Sequence, residues 1–190
     1  METNLAYQDD RWEELIGGEI VAMSPRPRVD HNRISGNIFY IFRHFLKNRE
    51  CEAFTDGVDL YLSEEDQFIP DGMIVCDPQK VHMDGIHGAP DLVWEVLSPG
   101  TARYDRGRKK DAYERCGVRE YWIVSPSEKT VEQYLLREGR FILNDTYSVL
   151  PDWMLAKMKP EERDKIIKSF RCSLYDDLEI SLADIFARVL

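Results

Sequence analysis

The chain has 190 residues, a usual length for one domain that folds around one hydrophobic core. With 43% hydrophobic and 32% charged residues and no run approaching about 18 apolar residues, the sequence excludes an integral membrane protein. The net charge of −10 argues against a protein that holds nucleic acid by phosphate neutralisation alone, because such binding draws on clustered Lys and Arg.

The N-terminus and the cysteines bear on the cellular compartment. Residues 1–5 lack the basic start and apolar run of a signal peptide, so we expect a cytoplasmic protein. The cysteines form no C-x-x-C pair, which excludes a zinc ribbon or a thioredoxin-like motif and favours buried, reduced thiols. They are Cys51, Cys76, Cys116 and Cys172.

The first predicted elements are a short helix, a strand and a long amphipathic helix. Residues 9–16, stopped by two glycines, have the pattern of a helix that places Glu14 near its end, and residues 19–23 have the pattern of a strand. From His31 onward, apolar residues recur at helical spacing and Asp30 can cap the first turn, which predicts a helix over residues 31–48.

The middle of the chain has the pattern of a sheet with a crossover helix. Strands are predicted within residues 57–62, 68–76 and 92–97, a helix over residues 101–115 that ends at Gly117, and a strand over residues 120–124. A strand, a helix and a second apolar strand in this order indicate a parallel crossover.

The C-terminal third adds a hairpin and a helical segment. Residues 130–136 and 140–147 are predicted to form an antiparallel hairpin. Residues 151–170 have the pattern of an exposed amphipathic helix, which could contact a partner or support a homodimer. Because no repeat, low-complexity tract or Gly/Ser linker interrupts the sequence, residues 1–190 are predicted to form a single domain with this helical segment added.

Glu95 is the most informative residue because it lies inside an otherwise apolar strand. A buried carboxylate needs a counter-charge or a metal, or it must be protonated. Since Val93, Trp94 and Val96 provide apolar side chains on both faces, we expect a buried strand. The alternative is an edge strand with Glu95 in solvent.

A second carboxylate, Asp71, follows Pro70 at the start or within the preceding strand. Asp91 also follows a proline, but it lies about 13 Å along the strand from Glu95, too far to share one metal without a bend. We therefore expect Asp71 to approach Glu95 from a neighbouring strand. Asp91 is expected to begin its strand or to support the metal ligands.

The next segment is rich in basic residues. Asp105, Lys109 and Tyr113 share one face of the predicted helix. For most of these side chains, a solvated helix surface with ion pairs between successive turns is as good an interpretation as a functional role. Lys109 is the exception.

Several motifs between Trp12 and Pro126 together resemble the Uma-type restriction endonuclease family, within the PD-(D/E)XK nuclease superfamily. The motifs are Glu14-Leu15-Ile16-x-Gly18-Glu19, His31-x-x-Ile34-Ser35-Gly36, Pro70-Asp71, Ala89-Pro90-Asp91-Leu92-Val93-x-Glu95-Val96-Leu97-Ser98-Pro99, Asp105-Arg106-Gly107-x-Lys109 and Gly117-Val118-x-Glu120-Tyr121-Trp122-x-Val124.

The resemblance implies an α/β fold with a restriction-endonuclease-like mixed β-sheet flanked by α-helices. It implies that Asp71 and Glu95 are metal ligands, that Lys109 is the catalytic lysine and that Glu14 is a further acidic member of the site. The superfamily usually places the lysine two residues after the glutamate, where this chain has Leu97. Lys109 would therefore have to reach the site from the helix.

These residue types suit phosphodiester hydrolysis. Two carboxylates, with the carbonyl of Val96 and waters, form an oxygen site for Mg²⁺ or Mn²⁺, and a lysine can position the nucleophile or stabilise charge in the transition state. Bound cations offset the local acidity, and arginines can contact phosphates. The candidate arginines are Arg26, Arg28, Arg33, Arg103, Arg106 and Arg108.

The histidines offer a weaker signal. His31 matches a family position at a helix start, which is compatible with a role beside the substrate or the metal ligands, whereas His44 is expected on the helix surface. His82 and His87 flank a predicted loop in which no further zinc ligands are recognised.

Two main hypotheses follow. The first is a metal-dependent endonuclease that acts on DNA, and the second is a catalytically silent nuclease-fold module for protein interaction or assembly. A serine hydrolase is disfavoured because the sequence has no G-x-S-x-G.

Overall fold

The computed structural model describes residues 13–22 and 28–190, and its centre is a mixed sheet. Strand β9 lies between β10, its parallel neighbour, and β6, its antiparallel neighbour, while the other adjacent pairs are antiparallel. The order is β12-β11-β10-β9-β6-β3. The strands are β3 (Glu52–Thr55), β6 (Gly72–Val75), β9 (Leu92–Val96), β10 (Glu120–Ser125), β11 (Thr130–Arg137) and β12 (Arg140–Ser148).

A second sheet of shorter strands has the order β2-β1-β5-β4-β8-β7. Its strands are β1 (Glu13–Ile16), β2 (Glu19–Ala22), β4 (Leu60–Tyr61), β5 (Asp66–Phe68), β7 (Val81–His82) and β8 (Gly85–His87). Near the C-terminus, β13 (Ser169–Arg171) pairs with β14 (Glu179–Ser181). The helices are α1 (Val29–Phe45), α2 (Ala102–Asp105), α3 (Arg108–Cys116), α4 (Asp152–Leu155), α5 (Pro160–Arg163) and α6 (Leu182–Ile185).

Side chains of β9 alternate between two hydrophobic cores, one on each face of the central sheet. Trp94 and Val96 belong to the core that contains α1, α6 and the β13-β14 pair. Val93 belongs to the core formed with α3 and the second sheet. Glu95 follows the same alternation as Val93 and is therefore directed towards α3. The mixed sheet flanked by helices, with its parallel β9-β10 crossover, is confirmed.

The prediction of a helix over residues 9–16 is wrong for the described part of that range. Residues 13–16 form β1, which pairs with both β2 and β5, and residues 9–12 lie outside the described residues. Gly17 and Gly18 have φ of 59° and 77°, and they form the two-residue turn of the β1-β2 hairpin rather than a helix stop. The strand predicted over residues 19–23 is confirmed as β2, with Met23 outside the described residues.

Helix α1 confirms that a helix lies here, but it covers Val29–Phe45 and not residues 31–48, and Asp30 lies within its first turn and does not cap it. The helix predicted over residues 101–115 is two helices. The backbone of Gly107 leaves the helical region with φ −120° and ψ −106°, which separates α2 from α3. Gly117 ends α3 with a left-handed φ of 90°, as expected for a glycine in this position. The break matters because it sets the direction in which α3 presents Lys109.

The segment 151–170 was predicted as one amphipathic helix, and this is wrong. It contains two single turns, α4 and α5, each begun next to a proline, and its end enters β13. Most of its side chains are exposed, so little packing favours a continuous helix. The hairpin predicted for residues 130–147 is confirmed as β11 and β12.

The expectation that all four cysteines are reduced thiols is also wrong, because Cys51 and Cys76 form a disulfide. Strands β3 and β6 pair with Glu52 opposite Val75, so the two cysteines just beyond this pair lie side by side. Sequence spacing could not reveal this contact, because β3 was not predicted. Cys116 and Cys172 remain free thiols. None of the described helices is both long and apolar enough to cross a membrane.

Candidate active site

The structure brings Glu14, Asp71, Glu95 and Lys109 together between the central sheet and α3. Lys109 Nζ lies 2.7 Å from Glu95 Oε1 and 2.9 Å from Glu14 Oε1. The Lys109 side chain is only 4% exposed, so these carboxylates supply the counter-charges that a buried ammonium group needs. The alternative of a solvent-facing Glu95 is excluded, because this residue is 4% exposed.

Glu14 enters the site from β1. Its Oε1 accepts a hydrogen bond from the backbone N–H of Ile69 at 3.0 Å as well as the bond from Lys109. The site therefore has the predicted Glu14, but on a strand and not at a helix end. Glu14 also links the second sheet to the segment that leads into Asp71.

Asp71 and Glu95 are neighbours because of the register between β6 and β9, in which Gly72 lies opposite Trp94. The backbone N–H of Asp71 points at Glu95 Oε2 at 3.3 Å, and Asp71 Oδ2 accepts the N–H of Val96 at 2.6 Å. A Cβ atom at Gly72 would lie 1.9 Å from the Trp94 ring, so only glycine permits this close pairing. Asp71 thus approaches Glu95 across the sheet, as predicted.

Two further groups, Tyr113 and Asp105, complete the site and were not assigned to it from the sequence. Tyr113 donates its hydroxyl hydrogen to Glu95 Oε1 at 2.8 Å. Asp105 Oδ1 lies 3.8 Å from Lys109 Nζ and is a buried oxygen without a hydrogen-bond partner in the described part of the chain. Their spacing of four residues on either side of Lys109 was visible in the sequence and was the signal that could have identified them, although Asp105 lies on α2 and Tyr113 on α3.

His31 lies on the other side of Asp71. Its Nε2 is 3.2 Å from Asp71 Oδ2, which places this family-position histidine at the site. Ser35, one turn later on α1, donates to the backbone carbonyl of Asp71 and accepts from the indole N–H of Trp94. Helix α1 therefore fixes the position of Asp71 through both its side chain and its backbone.

Burial dominates the electrostatics of the carboxyls. It raises the pKa of Glu95 well above the usual range, and although Lys109 opposes this shift, Asp105, Asp71 and Glu14 add to it. Burial also raises the pKa of Asp105 to about 6, again against the effect of Lys109. With a pKa of about 6, Asp105 can gain or lose a proton close to neutral pH.

Burial acts on the pKa of the basic groups in the opposite direction, but the neighbouring carboxylates outweigh it. Burial by itself lowers the pKa of Lys109, but Glu95, Glu14 and Asp105 together raise this pKa well above its usual value. For His31, burial also lowers the pKa, and the hydrogen bond and charge of Asp71 outweigh it, so the pKa rises. Lys109 is therefore a permanent cation of the site.

The site opens to solvent through a pocket. Its walls combine the acidic groups with residues of the β9-α2 connection and with β2. They are Glu14, Val21, Ala22, His31, Asp56, Ile69, Asp71, Glu95, Ser98, Gly100, Thr101, Tyr104, Asp105 and Lys109.

The donor atoms of the pocket suit a hard cation. Asp71, Glu95 and Asp105 offer carboxylate oxygens, and the unsatisfied Asp105 Oδ1 is a polar atom that a cation or its waters can satisfy. In residues 13–22 and 28–190, no three acidic or histidine ligand atoms of this pocket lie within 4.8 Å of one another. Two carboxylates completed by waters agree with Mg²⁺, which keeps much of its hydration shell.

Asp91 is outside the site, in agreement with its predicted role at the start of a strand. Its Oδ2 accepts the backbone N–H of Cys76 at 2.8 Å, and its Oδ1 lies 3.3 Å from Arg119. It therefore joins the end of β6 to the start of β9.

The arginines proposed as phosphate contacts differ in whether an acidic side chain already pairs with them. Arg33, Arg106 and Arg108 pair with Asp30, Glu132 and Glu19, respectively. Arg28 and Arg103 are exposed and form no ion pair with any acidic residue among those the structure describes. Arg28 lies just before α1, which carries the pocket residue His31, and Arg103 is adjacent in sequence to the pocket residue Tyr104 on α2, whereas Arg26 lies outside the described residues.

Comparisons with known proteins identify the family and the fold of this chain. Residues 2–160 match the Uma2 family model, described as "putative restriction endonuclease". Two uncharacterized proteins of Synechocystis sp. are similar in sequence. One, slr1290, is 29% identical over 64% of this chain and 64% of its own length, and the other, sll1609, is 28% identical over 64% of this chain and 70% of its own length.

A solved structure shares the fold. The crystal structure of a putative nuclease belonging to DUF820 from Anabaena variabilis superposes with a TM-score of 0.70 at 20% identity, over 95% of this chain and 92% of that chain. At this identity the likeness concerns the fold, because fold and function separate readily.

Proposed function

Because this chain belongs to the Uma2 family, we propose that it is a metal-dependent endonuclease that hydrolyses phosphodiester bonds of DNA. The observation that carries the proposal is that Lys109 Nζ lies within 2.9 Å of both Glu14 and Glu95, while Asp71, directly before β6, contacts Glu95 through its backbone N–H. Carboxylates and a lysine in one pocket are the groups that metal-assisted hydrolysis requires.

Asp71 and Glu95 are the proposed ligands of Mg²⁺ or Mn²⁺. When bound, such a cation polarises a phosphoryl oxygen and lowers the pKa of its water. The chain contributes two carboxylates whose oxygens are already oriented by the backbone N–H groups of Val96 and Asp71. Such preorganisation reduces the cost of arranging the site during the reaction.

Lys109 is the proposed catalytic lysine, and Glu14 holds it in place. Its ammonium group can position the attacking water or stabilise negative charge that develops on the phosphate. Since the pKa of Lys109 is raised, it acts as a fixed positive charge and not as a proton acceptor. Tyr113 fixes Glu95 Oε1 by its hydroxyl hydrogen bond, which leaves Oε2 facing Asp71.

The net charge of −10 requires that binding of DNA use local positive charge. Arg28 and Arg103 are exposed, lie near pocket residues in the sequence and are the proposed phosphate contacts. A bound divalent cation would offset the surrounding carboxylates. Association should therefore weaken strongly without the cation.

One observation favours the alternative of a silent nuclease-fold module. Glu95 Oε1 is already satisfied by Lys109 and Tyr113, so the buried acids have partners without any metal. Such a site could be kept for stability alone. The two functions differ in whether metal binds at Asp71 and Glu95 and whether the phosphodiester bond is cut.

The test combines cleavage with metal binding. Supercoiled plasmid, linear duplex DNA, single-stranded DNA and RNA would be incubated with the purified protein and Mg²⁺, Mn²⁺ or EDTA. Calorimetric titration of Mn²⁺ would be compared for the natural protein and Asp71→Asn. We expect metal-dependent cleavage of DNA and loss of Mn²⁺ binding in Asp71→Asn. No cleavage of any substrate, together with unchanged Mn²⁺ binding in the variant, would favour the silent module.

A further inference from the structure

The β7-β8 hairpin places two histidines and an aspartate at one point on the surface. His82 ends β7, His87 ends β8 and Asp84 lies in the turn between the strands. One ligand atom from each of the three residues lies within 4.8 Å of the other two. In the described part of the chain, no other group of three or more potential metal ligands comes this close together.

The backbone of the hairpin holds this arrangement. His82 lies opposite Gly85, and Gly85 has φ of +147° with its ideal Cβ position only 2.4 Å from the carbonyl oxygen of Asp59. Any other residue would collide there, so the turn that carries Asp84 depends on glycine. The N–H of Ile86 donates to the same Asp59 carbonyl at 2.8 Å, which fixes β8 against β4.

The side chains are also oriented. The ring of His87 stacks on Tyr61 with 4.6 Å between ring centroids, and its Nε2 lies 3.1 Å from Asp84 Oδ1. The rings of His82 and His87 are 4.5 Å apart. Two ligands on a tetrahedral metal with bonds of about 2.0 Å are roughly 3.3 Å apart, so His87 and Asp84 already have nearly the required spacing.

We propose that His82, Asp84 and His87 bind a divalent transition metal ion, with Zn²⁺ as the best-matched ion. Two imidazoles and one carboxylate form a mixed nitrogen and oxygen set, which suits Zn²⁺, Ni²⁺ or Cu²⁺ and disfavours Mg²⁺ and Ca²⁺. All three side chains are exposed, so water can complete the coordination. The bound ion joins the ends of β7 and β8 and so stabilises this edge of the second sheet.

The site is separate from the proposed hydrolytic site. Strand β7 is one edge of the second sheet, and β1, which carries Glu14, is four strands away in the order β2-β1-β5-β4-β8-β7. At the usual spacing of strands this is about 19 Å. The two sites also differ in chemistry, because the hydrolytic site offers mainly carboxylates. The inference does not depend on the proposed function.

Calorimetric titration with ZnCl₂ tests the site on the full chain. We expect one Zn²⁺ per chain, with affinity at least tenfold weaker in His82→Ala and His87→Gln and not measurable in the double variant. MgCl₂ in large excess should not displace the ion. The exposed His44 provides the matched control, since His44→Ala should bind Zn²⁺ as the natural protein does.

Two further variants separate this site from other places where zinc can bind. Asp71→Asn and Cys116→Ser should retain the titration, because neither residue belongs to the hairpin. DNA cleavage with Mg²⁺ should be unchanged in the His82→Ala, His87→Gln variant. Zinc binding that survives in the double variant, or that is lost in Asp71→Asn or Cys116→Ser, would overturn the proposal.

Discussion

Lys109 lies on α3 and yet contacts Glu95 on β9, with 2.7 Å between its Nζ and Glu95 Oε1. The position two residues after Glu95, where the superfamily usually has its lysine, is Leu97. Glu95 is directed towards α3, and the break at Gly107 lets α3 direct Lys109 back at the sheet. The ammonium group therefore reaches the carboxylate from a helix instead of from the same strand.

Removal of this lysine should affect both stability and activity. Lys109→Ala leaves Glu14 and Glu95 buried without a counter-charge, which we expect to lower the free energy of unfolding by about 3 kcal/mol. Cleavage of plasmid DNA should fall at least about 100-fold. Urea denaturation and a cleavage assay measure the two effects. The control is Lys110→Ala on the same helix, which should change the free energy of unfolding and the cleavage rate only slightly. Equal losses of stability and of cleavage in the two variants would refute the role of Lys109.

The contact between Gly72 and Trp94 gives a second prediction. In Gly72→Ala the new methyl group would overlap the indole, which lies 1.9 Å from the ideal Cβ position, so β6 and β9 must separate. We expect a loss of about 3 kcal/mol in the free energy of unfolding. Since Asp71 and Glu95 are the adjacent residues, Mn²⁺ binding should weaken as well.

Gly36→Ala is the matched control for this substitution. Gly36 lies in α1 with no atom within 4 Å of an added Cβ, so alanine should stabilise the helix by about 1 kcal/mol. Thermal denaturation of the two variants measures the contrast. A Gly72→Ala protein as stable as the natural one would show that the β6-β9 contact is less close than described.

Asp105 makes the stability of the metal-free protein depend on pH. Burial raises its pKa to about 6, above the usual aspartate value of about 3.9, so the folded protein binds the proton more tightly than the unfolded chain does. This contribution to stability is complete below the unfolded pKa and is lost as pH rises through about 6. The loss should be of the order of 3 kcal/mol.

Comparison with Asp105→Asn isolates this contribution, because the amide does not ionise. The free energy of unfolding of the natural protein should fall relative to the variant between pH 4 and pH 7, as measured by urea denaturation at each pH. Asp111→Asn, at an exposed position of α3, should follow the natural protein. Parallel profiles for the natural protein and Asp105→Asn would contradict the raised pKa.

The sequence predicted the elements whose signals are local and continuous. The apolar strand around Glu95, the spacing of apolar residues in α1 and the hairpin of β11 and β12 were each visible within one segment. The proximity of Asp71 to Glu95 followed from the limited reach of a strand. The family resemblance then singled out Glu14 and Lys109.

The errors concern elements decided by distant contacts. Residues 13–16 form a strand because β5 supplies a pairing partner some fifty positions later, and the disulfide joins Cys51 to Cys76 across β3 and β6. The segment 151–170 has helical periodicity but little packing surface. The proximity of Asp84 to His82 and His87 was not predicted, because it depends on the pairing of β7 with β8.

The central claim, that Asp71, Glu95 and Lys109 form a metal-dependent hydrolytic site, is tested most directly by the rate of plasmid nicking by Glu95→Gln. Glutamine keeps the shape of the side chain but removes the charge that would hold the metal. With Mg²⁺ or Mn²⁺ we predict nicking by the natural protein and by the exposed control Glu161→Gln, and at least about a 100-fold loss in Glu95→Gln and in EDTA. Equal nicking by Glu95→Gln and the natural protein would contradict the account.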